Sequence, residues 1–317
     1  MPLAIQADDV RAAAERIRPL ARRTPVFTSA GFDAESGVRA LFKCENLQRG
    51  GAFKIRGASN LILSLSQEAL SRGVVAYSSG NHAQATAIAA RHVGAHATIV
   101  MPEDAPRSKM EATRARGAQI VTYNRFQESR EAIAAGILAE TGATLVPPFD
   151  HPMIIAGQGT AALELLQETG PLDALIAPVG GGGLLSGSAT IARDLQPDIR
   201  LFGAEPEGAN DTLLSLQAGT RVTVPHPNTI ADGLRSPKPG ELTFPILQRL
   251  VEQILPVSDA EIRETVKFLL LRLKILVEPS GAASVAAVLF RKLPPGVRSV
   301  GVIISGGNVD FEDLAQY

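Results

Sequence analysis

The sequence predicts an α/β fold that is built on parallel β-sheet. Short, nearly continuous apolar runs alternate with longer helical patterns, as expected for strands that helices cover on both faces. A strand, a crossover helix and a parallel strand form a right-handed unit, and several such units in a row indicate the α/β class. Polar or glycine-rich segments follow several of the strands, at the edge of the sheet where ligands bind.

Six runs that are rich in β-branched and small apolar residues are predicted to be strands. They are residues 74–77, 97–100, 119–122, 174–177, 200–203 and 299–304. Four helical patterns follow strands directly, at residues 83–93, 107–116, 128–140 and 184–194. A further helix-like stretch covers residues 58–65. Residues 73–149 contain a compact group of these elements, which suggests a smaller domain inserted into the rest of the chain.

Composition limits the classes of function. The chain has 317 residues, of which 45% are hydrophobic and 20% are charged, and its formal net charge is -1. Nothing in this balance favours a nucleic acid or an anionic membrane as a partner. The most apolar stretch, residues 266–277, is too short to span a bilayer and carries charged side chains. The N-terminus lacks the apolar core of a signal peptide, and one cysteine, Cys44, excludes an intrachain disulfide. We expect a soluble, cytoplasmic protein.

Lys54 is the first candidate for chemistry. It lies in Gly51-Ala52-Phe53-Lys54-Ile55-Arg56-Gly57, among small and apolar residues. Removal from water lowers the pKa of a lysine and makes its amine a usable nucleophile. Most lysines instead keep the ammonium group at the surface. The interpretation therefore depends on other segments.

Three segments that follow predicted strands supply possible partners for Lys54. The glycine tract, Gly180-Gly181-Gly182-Gly183, offers backbone N–H groups at a helix start, where a phosphate could bind, although a tight turn fits it equally well. The serine loop, Ser78-Ser79-Gly80-Asn81-His82, could cap a helix or hold a carboxylate. Ser305-Gly306-Gly307-Asn308 follows the last strand, where a simple turn is the default.

An acidic segment is the candidate metal site. Glu205, Glu207 and Asp211 follow another strand, and oxygen ligands at this density can hold Mg²⁺ or Ca²⁺. A solvated acidic loop is the commoner role for such a run. The five histidines have no metal-ligand spacing, and no Gly-x-Ser-x-Gly motif indicates a serine hydrolase.

Together these segments resemble the fold-type II pyridoxal-phosphate enzymes, and within them the serine/threonine dehydratase and serine racemase family. The resemblance extends over nearly the whole chain, through Glu45-Asn46-Leu47-Gln48, Ile155-Ala156-Gly157-Gln158-Gly159-Thr160, Thr229-Ile230-Ala231-Asp232-Gly233 and Val277-Glu278-Pro279-Ser280-Gly281. It implies two open, twisted, mostly parallel sheets flanked by helices, as in the tryptophan synthase β chain. It also implies a large cofactor-binding domain (residues 1–72 and 150–317) and a small, mobile domain that caps the substrate (residues 73–149).

The resemblance implies roles for the cofactor-binding residues. Lys54 carries pyridoxal 5'-phosphate as a Schiff base, and Phe53 packs beside the ring. Asn81 bonds the 3-hydroxyl group, the glycine tract holds the phosphate and Ser305 faces the pyridine nitrogen.

The resemblance also implies a substrate site and a metal site. Ser79, Gly80, Asn81 and His82 bind the carboxylate of an amino acid, and Arg130 assists them. Lys54 is the general base, and in racemases of this family the residue at the place of Ser79 is a second acid and base on the opposite face. A divalent cation, Mg²⁺ or Ca²⁺, is held by the side chains of Glu205 and Asp211 and the carbonyl of Ala209.

The function implied is a dehydratase, or ammonia-lyase. It converts L-serine, L-threonine or a related 3-hydroxy amino acid to a 2-oxo acid and ammonia. Serine racemase and 3-hydroxyaspartate ammonia-lyase are the alternatives, and a homodimer is expected. A ligand-binding protein without catalysis would require Lys54 to be only structural.

Overall fold

The computed structural model describes residues 2–105, 107–315 and 317, without the side chain of Ser108. The strands are β1 (Val26–Phe27), β2 (Arg39–Cys44), β3 (Val74–Tyr77), β4 (Ala97–Pro102), β5 (Gln119–Tyr123), β6 (Thr144–Leu145), β7 (Ala174–Pro178), β8 (Arg200–Pro206), β9 (Gln253–Val257) and β10 (Ser299–Ile304). They form two sheets that together contain all of these strands.

Helices cover both sheets. They are α1 (Ala7–Ile17), α2 (Ala30–Ser36), α3 (Lys54–Ile62), α4 (Gln67–Arg72), α5 (Asn81–His92), α6 (Arg107–Ala115), α7 (Arg130–Thr141), α8 (Pro152–Thr169), α9 (Gly183–Leu195), α10 (Asp211–Ala218), α11 (Thr243–Leu250), α12 (Asp259–Phe268), α13 (Pro279–Leu289) and α14 (Phe311–Leu314). Short 3₁₀ turns at Glu45–Leu47, Arg49–Gly51, Glu207–Ala209 and Asp232–Leu234, and a π-helical turn at Leu269–Leu273, complete the regular structure. Among the described residues, no helix is both long and apolar enough to cross a membrane.

The first sheet has the strand order β1-β2-β10-β7-β8-β9, and only β1 pairs antiparallel with its neighbour. Successive residues along its central strands point to opposite faces of the sheet, and each face packs against a separate hydrophobic core. Phe42, Val302, Ile176 and Phe202 form one row across four strands and belong to the core on one face. The preceding residues of β2, β7 and β8 (Leu41, Leu175 and Leu201) belong to the core on the other face. Burial on both faces explains why these strands are apolar throughout.

The second sheet has the order β5-β4-β3-β6, and all of its pairs are parallel. Its strands all come from residues 73–149, while its core also includes Ile55 and Ile62 of α3 and Leu70 of α4. The predicted α/β class with two mostly parallel sheets is confirmed. The division into two domains, and the mobility of residues 73–149, stay predictions.

Two differences from the predicted elements affect the function. The helix predicted over residues 58–65 begins earlier, so Lys54 is the first residue of α3. The strand predicted to end at residue 203 continues to Pro206, which places Glu205 within β8, fully buried rather than in a solvated loop.

A buried charge network holds the start of α3 in place. The guanidinium group of Arg56 is fully buried between two carboxylates. Its Nε lies 2.7 Å from Oε2 of Glu45, and its Nη1 lies 2.7 Å from Oε1 of Glu164. Lys43 is also fully buried, and its Nζ lies 2.6 Å from Oε2 of Glu164. Two positive and two negative charges thus neutralise one another, which is the condition for burying them.

Close backbone contact between α3 and α8 adds to this network. The N–H of Gly57 donates to Oε1 of Gln158 at 3.1 Å. A Cβ atom on Gly157 would lie 2.7 Å from the carbonyl oxygen of Arg56. Only glycine fits there, so the two helices are fixed at a short separation.

We expect Arg56→Met to lower the free energy of unfolding by about 3–5 kcal/mol, because it leaves two buried carboxylates with Lys43 as their only cation. Denaturant unfolding of the purified protein measures the change. Arg107→Met is the control, since the Arg107–Glu111 pair on α6 is exposed and solvent screens its attraction, so its loss should have little effect. Equal, small effects of the two substitutions would contradict this account.

Candidate active site

A cleft of about 420 Å³ lies at the carboxyl ends of strands from both sheets. Its walls include the serine loop, which follows β3, the glycine tract, which follows β7, and Ser305, which follows β10. Parallel strands place their carboxyl ends on one edge of a sheet, so these segments meet although they are far apart in sequence. Phe53, Lys54 and Arg130 also line the cleft. The sequence-predicted cofactor and substrate residues are therefore in one place.

Lys54 presents a weakly basic amine to the cleft. Its side chain keeps some access to solvent, yet protein surrounds it on most sides. Desolvation lowers the pKa of Lys54 to about 8, and the negative charge of Glu278 limits that decrease. The Nζ atom donates to the carbonyl oxygen of Pro148 at 2.7 Å and lies 5.1 Å from the centre of the Phe53 ring. A substantial fraction of this amine is neutral near pH 8, as a nucleophile or base requires.

The glycine tract provides free hydrogen-bond donors. Helix α9 begins at Gly183, and no side chain caps it. Among the described residues, no side chain or carbonyl accepts a hydrogen bond from the N–H groups of residues 180–183. A Cβ atom on Gly181 would lie 2.4 Å from ring atoms of Phe149, and Gly182 has a φ of +93°. Glycine is thus required by packing and conformation, and unpaired N–H groups at a helix start are suited to bind an anion.

The serine loop forms a second set of donors at the start of α5. Gly80 precedes the helix without a side-chain cap. Within the part of the chain that the structure describes, the hydroxyl of Ser79 has no hydrogen-bond partner. His82 is buried, and its Nε2 lies 2.8 Å from the carbonyl oxygen of Val146, while its Nδ1 has no partner among the residues described. Desolvation lowers the pKa of His82 to about 3, so its ring is neutral.

The Asn81 side chain is held in one orientation. Its Nδ2 donates to Oε1 of Glu278 at 2.8 Å, and its Oδ1 accepts from Nδ2 of Asn308 at 2.8 Å. An amide group has two donor hydrogens and two acceptor lone pairs, so Asn81 keeps capacity for a ligand. Burial is the main cause that raises the pKa of Glu278, followed by the charge of Asp232.

Ser305 and Phe53 line the cleft next to each other and are joined through their main chains. The N–H of Phe53 donates to the carbonyl oxygen of Ser305 at 2.9 Å, which joins the end of β10 to the start of α3. Ser305 is 3% exposed, and its hydroxyl makes one long contact, 3.5 Å, with the carbonyl oxygen of Ser280. A neutral hydroxyl group therefore lies at the bottom of the site.

Arg130 already forms an ion pair and a cation–π contact. Its Nε lies 2.8 Å from Oε1 of Glu131, and its guanidinium carbon lies 5.2 Å from the centre of the Tyr77 ring. The residue lines the cleft, as its assigned role requires. Free N–H groups remain in the guanidinium fork for a second acceptor.

Several lining residues had no predicted role. They are Tyr77, Lys109, Pro148, Phe149, Asp150, Asp232, Arg235, Lys238 and Glu278. Two of them, Asp232 and Glu278, lie in segments that carry the family resemblance, but their function there depends on contacts between distant parts of the chain. Lys109 of α6 lies 2.9 Å from Oδ2 of Asp232, and only the fold brings this pair together.

The two carboxylates of the candidate metal site, Glu205 and Asp211, do not line the cleft. The carboxylate of Glu205 accepts from the N–H groups of Thr212 and Leu213 at 3.1 and 2.9 Å. Asp211 is fully buried, and neither of its carboxylate oxygens has a partner among the described residues. Burial, followed by the charge of Asp211, raises the pKa of Glu205 to about 8, and burial raises that of Asp211 to about 7. The described residues contain no group of three or more His, Cys, Asp or Glu side chains that could hold a metal.

The cleft fits pyridoxal phosphate on its own chemistry. It combines a desolvated amine that can react with an aldehyde, a capless helix start for a phosphate and a second donor set for a carboxylate. The family model described as pyridoxal-phosphate dependent enzyme matches residues 17–306. The chain belongs to this family.

Similar proteins of established activity match almost the full chain. An L-threo-3-hydroxyaspartate ammonia-lyase of Pseudomonas sp is 51% identical over 97% of this chain and 96% of its own. A serine racemase of Schizosaccharomyces pombe is 47% identical over 98% of this chain and 96% of its own. The solved structure of maize serine racemase has a TM-score of 0.95 at 45% identity, covering 99% of this chain and 96% of that one. These matches confirm the fold-type II architecture.

We expect the rate of cofactor attachment to follow the titration of Lys54. When the cofactor-free protein is mixed with pyridoxal phosphate, the rate constant should rise with pH and level off above about 8, because only the neutral amine reacts. Stopped-flow absorbance measures it. Glu278→Gln should shift the rise to lower pH, since it removes the charge that favours the ammonium form.

Lys54→Ala is the control and should show no attachment band. A rise centred near the ordinary lysine pKa of about 10.4 would contradict the desolvation argument.

Proposed function

We propose that the protein is an ammonia-lyase that converts a 3-hydroxy amino acid to a 2-oxo acid and ammonia. Candidate substrates are L-serine, L-threonine and L-threo-3-hydroxyaspartate. The observation that carries the proposal is the desolvated amine of Lys54 in one cleft with the glycine tract and the start of α5, two helix starts that no side chain caps. Relatives named as hydroxyaspartate and threonine ammonia-lyases support this reaction class.

In this proposal the chain holds the cofactor at four places. The Lys54 amine anchors it, the glycine tract binds its phosphate, Asn81 bonds a ring substituent and Ser305 meets the ring nitrogen. When bound, the cofactor stabilises the negative charge that develops at the substrate Cα when its proton leaves. Ser305 supplies a neutral hydroxyl rather than a carboxylate. The site therefore favours a reaction in which the β-hydroxyl departs promptly over one that keeps charge at Cα.

Other residues of the cleft bind the substrate and transfer its proton in this proposal. The N–H groups and hydroxyl of the serine loop bind and orient the substrate carboxylate, and Arg130 assists. Lys54, once its amine is free, removes the Cα proton as general base, for which a pKa of about 8 is well suited. Neutral His82 adds no positive charge near this amine, so it does not oppose proton uptake.

Serine racemase is a second candidate function because of Ser79. Its hydroxyl has no partner among the described residues and lines the same cleft as Lys54. Racemisation needs a second group that returns a proton to Cα, and a serine there can do this or simply bind the carboxylate.

We expect Lys54→Ala to reduce formation of 2-oxo acid from all three substrates by about 10²-fold or more, because it removes the general base. A coupled assay for 2-oxo acid and chiral chromatography of D-serine provide the two measurements. Ser79→Ala should lower D-serine formation much more than elimination if Ser79 is an acid and base. Equal losses would restrict Ser79 to carboxylate binding, and full activity of Lys54→Ala would reject the lyase.

We also propose that Glu205, Asp211 and the carbonyl of Ala209 hold a divalent cation, Mg²⁺ or Ca²⁺. Two buried carboxylates without a cationic partner are costly unless they are protonated or bind a metal. Both prefer hard oxygen-binding cations, and main-chain carbonyls and water would complete the coordination. Thr212 adds a buried hydroxyl that has no partner among the described residues.

We expect a chelator to lower the melting temperature and an excess of Mg²⁺ or Ca²⁺ to restore it. Binding at a hundredfold excess over Kd stabilises the folded state by about 2.7 kcal/mol. Differential scanning fluorimetry gives the shift. Asp211→Asn should be insensitive to both treatments. If the native protein responds to neither, the two carboxylates are protonated residues of the core and not ligands.

We further propose a cytoplasmic homodimer in which residues 73–149 move to cap the bound substrate. The second sheet consists only of strands from this segment, which supports its movement as a unit. Sedimentation of the purified protein tests the dimer, and X-ray scattering with and without substrate tests the movement.

A further inference from the structure

Among the described residues, one of the basic side chains that line the cleft, Lys238, has no hydrogen-bond or ion-pair partner. Lys109 and Arg130 are paired with Asp232 and Glu131 at 2.9 and 2.8 Å. The guanidinium of Arg235 donates to the carbonyl oxygen of Thr229, at 2.8 Å from Nε. Lys238 lines the cleft, and within residues 2–105, 107–315 and 317 its ammonium group makes no ion pair or hydrogen bond.

The loop that carries Lys238 is fixed on both sides. The hydroxyl of Ser236 donates to the carbonyl oxygen of Lys238 at 3.0 Å, and the carbonyl of Pro237 accepts from the N–H of Val224 at 2.8 Å. The N–H of Gly240 donates to the carbonyl of Gly181 at 3.3 Å, which attaches the loop to the glycine tract. Prolines on both sides of Lys238 further restrict the backbone. The ammonium group is thus presented by a preorganised segment.

Two anions of a loaded site already have donors. The glycine tract supplies N–H groups for a phosphate, and the serine loop supplies them for the carboxylate that every amino acid carries. A substrate with a second carboxylate adds one negative charge for which neither segment provides a further donor set. Lys238 is half-buried, and its ammonium group, which has no partner in the described part of the chain, is the complement of that charge. An ion pair beside protein is stronger than one in bulk water.

We propose that Lys238 binds the side-chain carboxylate of a dicarboxylic 3-hydroxy amino acid, which makes L-threo-3-hydroxyaspartate the preferred substrate. The inference rests on the lyase function proposed above and adds its specificity. Serine and threonine enter the same cleft but leave Lys238 in water. Because the side-chain carboxylate keeps its charge throughout the reaction, Lys238 contributes equally to ground-state and transition-state binding. Its effect should therefore appear in KM rather than in kcat.

Lys238→Met tests the subsite, and Lys267→Met is the matched control, since Lys267 lies on α12 and forms an exposed pair with Glu264. We expect Lys238→Met to raise KM for hydroxyaspartate by about 10- to 100-fold, as for loss of a charge-assisted hydrogen bond. The KM for L-serine should change by no more than about twofold. Lys238→Arg, which keeps the charge, should retain most of the preference for hydroxyaspartate. Lys267→Met should leave both substrates unaffected.

A binding measurement makes the test independent of turnover. L-Aspartate lacks the β-hydroxyl and cannot undergo elimination, and L-alanine is its monocarboxylate counterpart. We expect Lys238→Met to weaken the thermal stabilisation of the holoenzyme by L-aspartate and to leave that by L-alanine unchanged.

Three results would overturn the subsite. Equal losses for hydroxyaspartate and serine, together with weaker binding of pyridoxal phosphate, would show that Lys238 neutralises the phosphate. Unchanged kinetics and aspartate binding would show a solvated lysine. Retention of the preference by Lys238→Met, with loss of activity on serine, would also exclude it. If the unmodified protein turns over none of the substrates but loses aspartate binding in Lys238→Met, the lyase proposal fails and the subsite stands.

Discussion

The buried network of Lys43, Glu45, Arg56 and Glu164 is the constraint on which the site depends. Its four charges come from β2, the 3₁₀ turn that follows it, α3 and α8, and each is matched by an opposite charge inside the protein. Arg56 lies two residues after Lys54, so the network determines where α3 begins relative to the first sheet. Reactivity of Lys54 requires an amine that is both desolvated and correctly placed. The burial of opposite charges a short distance along the same helix supplies the placement.

The hydrogen-bond donors that two helix starts offer to an anion in the cleft are backbone N–H groups. Both of its N–H donor sets lie where a strand ends and a helix begins, and neither helix has a side-chain cap. Main-chain donors attract a phosphate or a carboxylate without adding a full positive charge beside Lys54. A lysine or arginine in the same position would lower the pKa of Lys54 further and would compete for the substrate. Neutral donors thus separate the attraction of an anion from the protonation of the Lys54 amine.

The strands that could be predicted from the sequence are those whose side chains are nearly all apolar or β-branched. Parallel strands with two buried faces are apolar, and so β3, β4, β7, β8 and β10 were recognisable. The edge strand β5 has exposed residues and was recognisable from its β-branched residues. Strand β2 was not, because Lys43 interrupts its apolar run, and only the contact with Glu164 explains a buried lysine. The Lys109–Asp232 pair was also missed. The two residues are 123 positions apart, and only the folded chain brings them together. Motif resemblance identified Lys54, the glycine tract and the serine loop. The contacts of Arg56 and Glu278 could be recognised only in the folded structure.

The hydrogen bonds of Asn81 join the two sheets inside the site. Asn81 starts the helix after β3 of the second sheet, while Glu278 and Asn308 lie next to the ends of α13 and β10 on the first. Any change in the separation of the sheets must stretch or break these bonds at the place where the cofactor ring would lie. The orientation of the Asn81 amide is therefore mechanically linked to the separation of the two sheets, and a wider cleft would differ in the hydrogen bonds of its wall as well as in access.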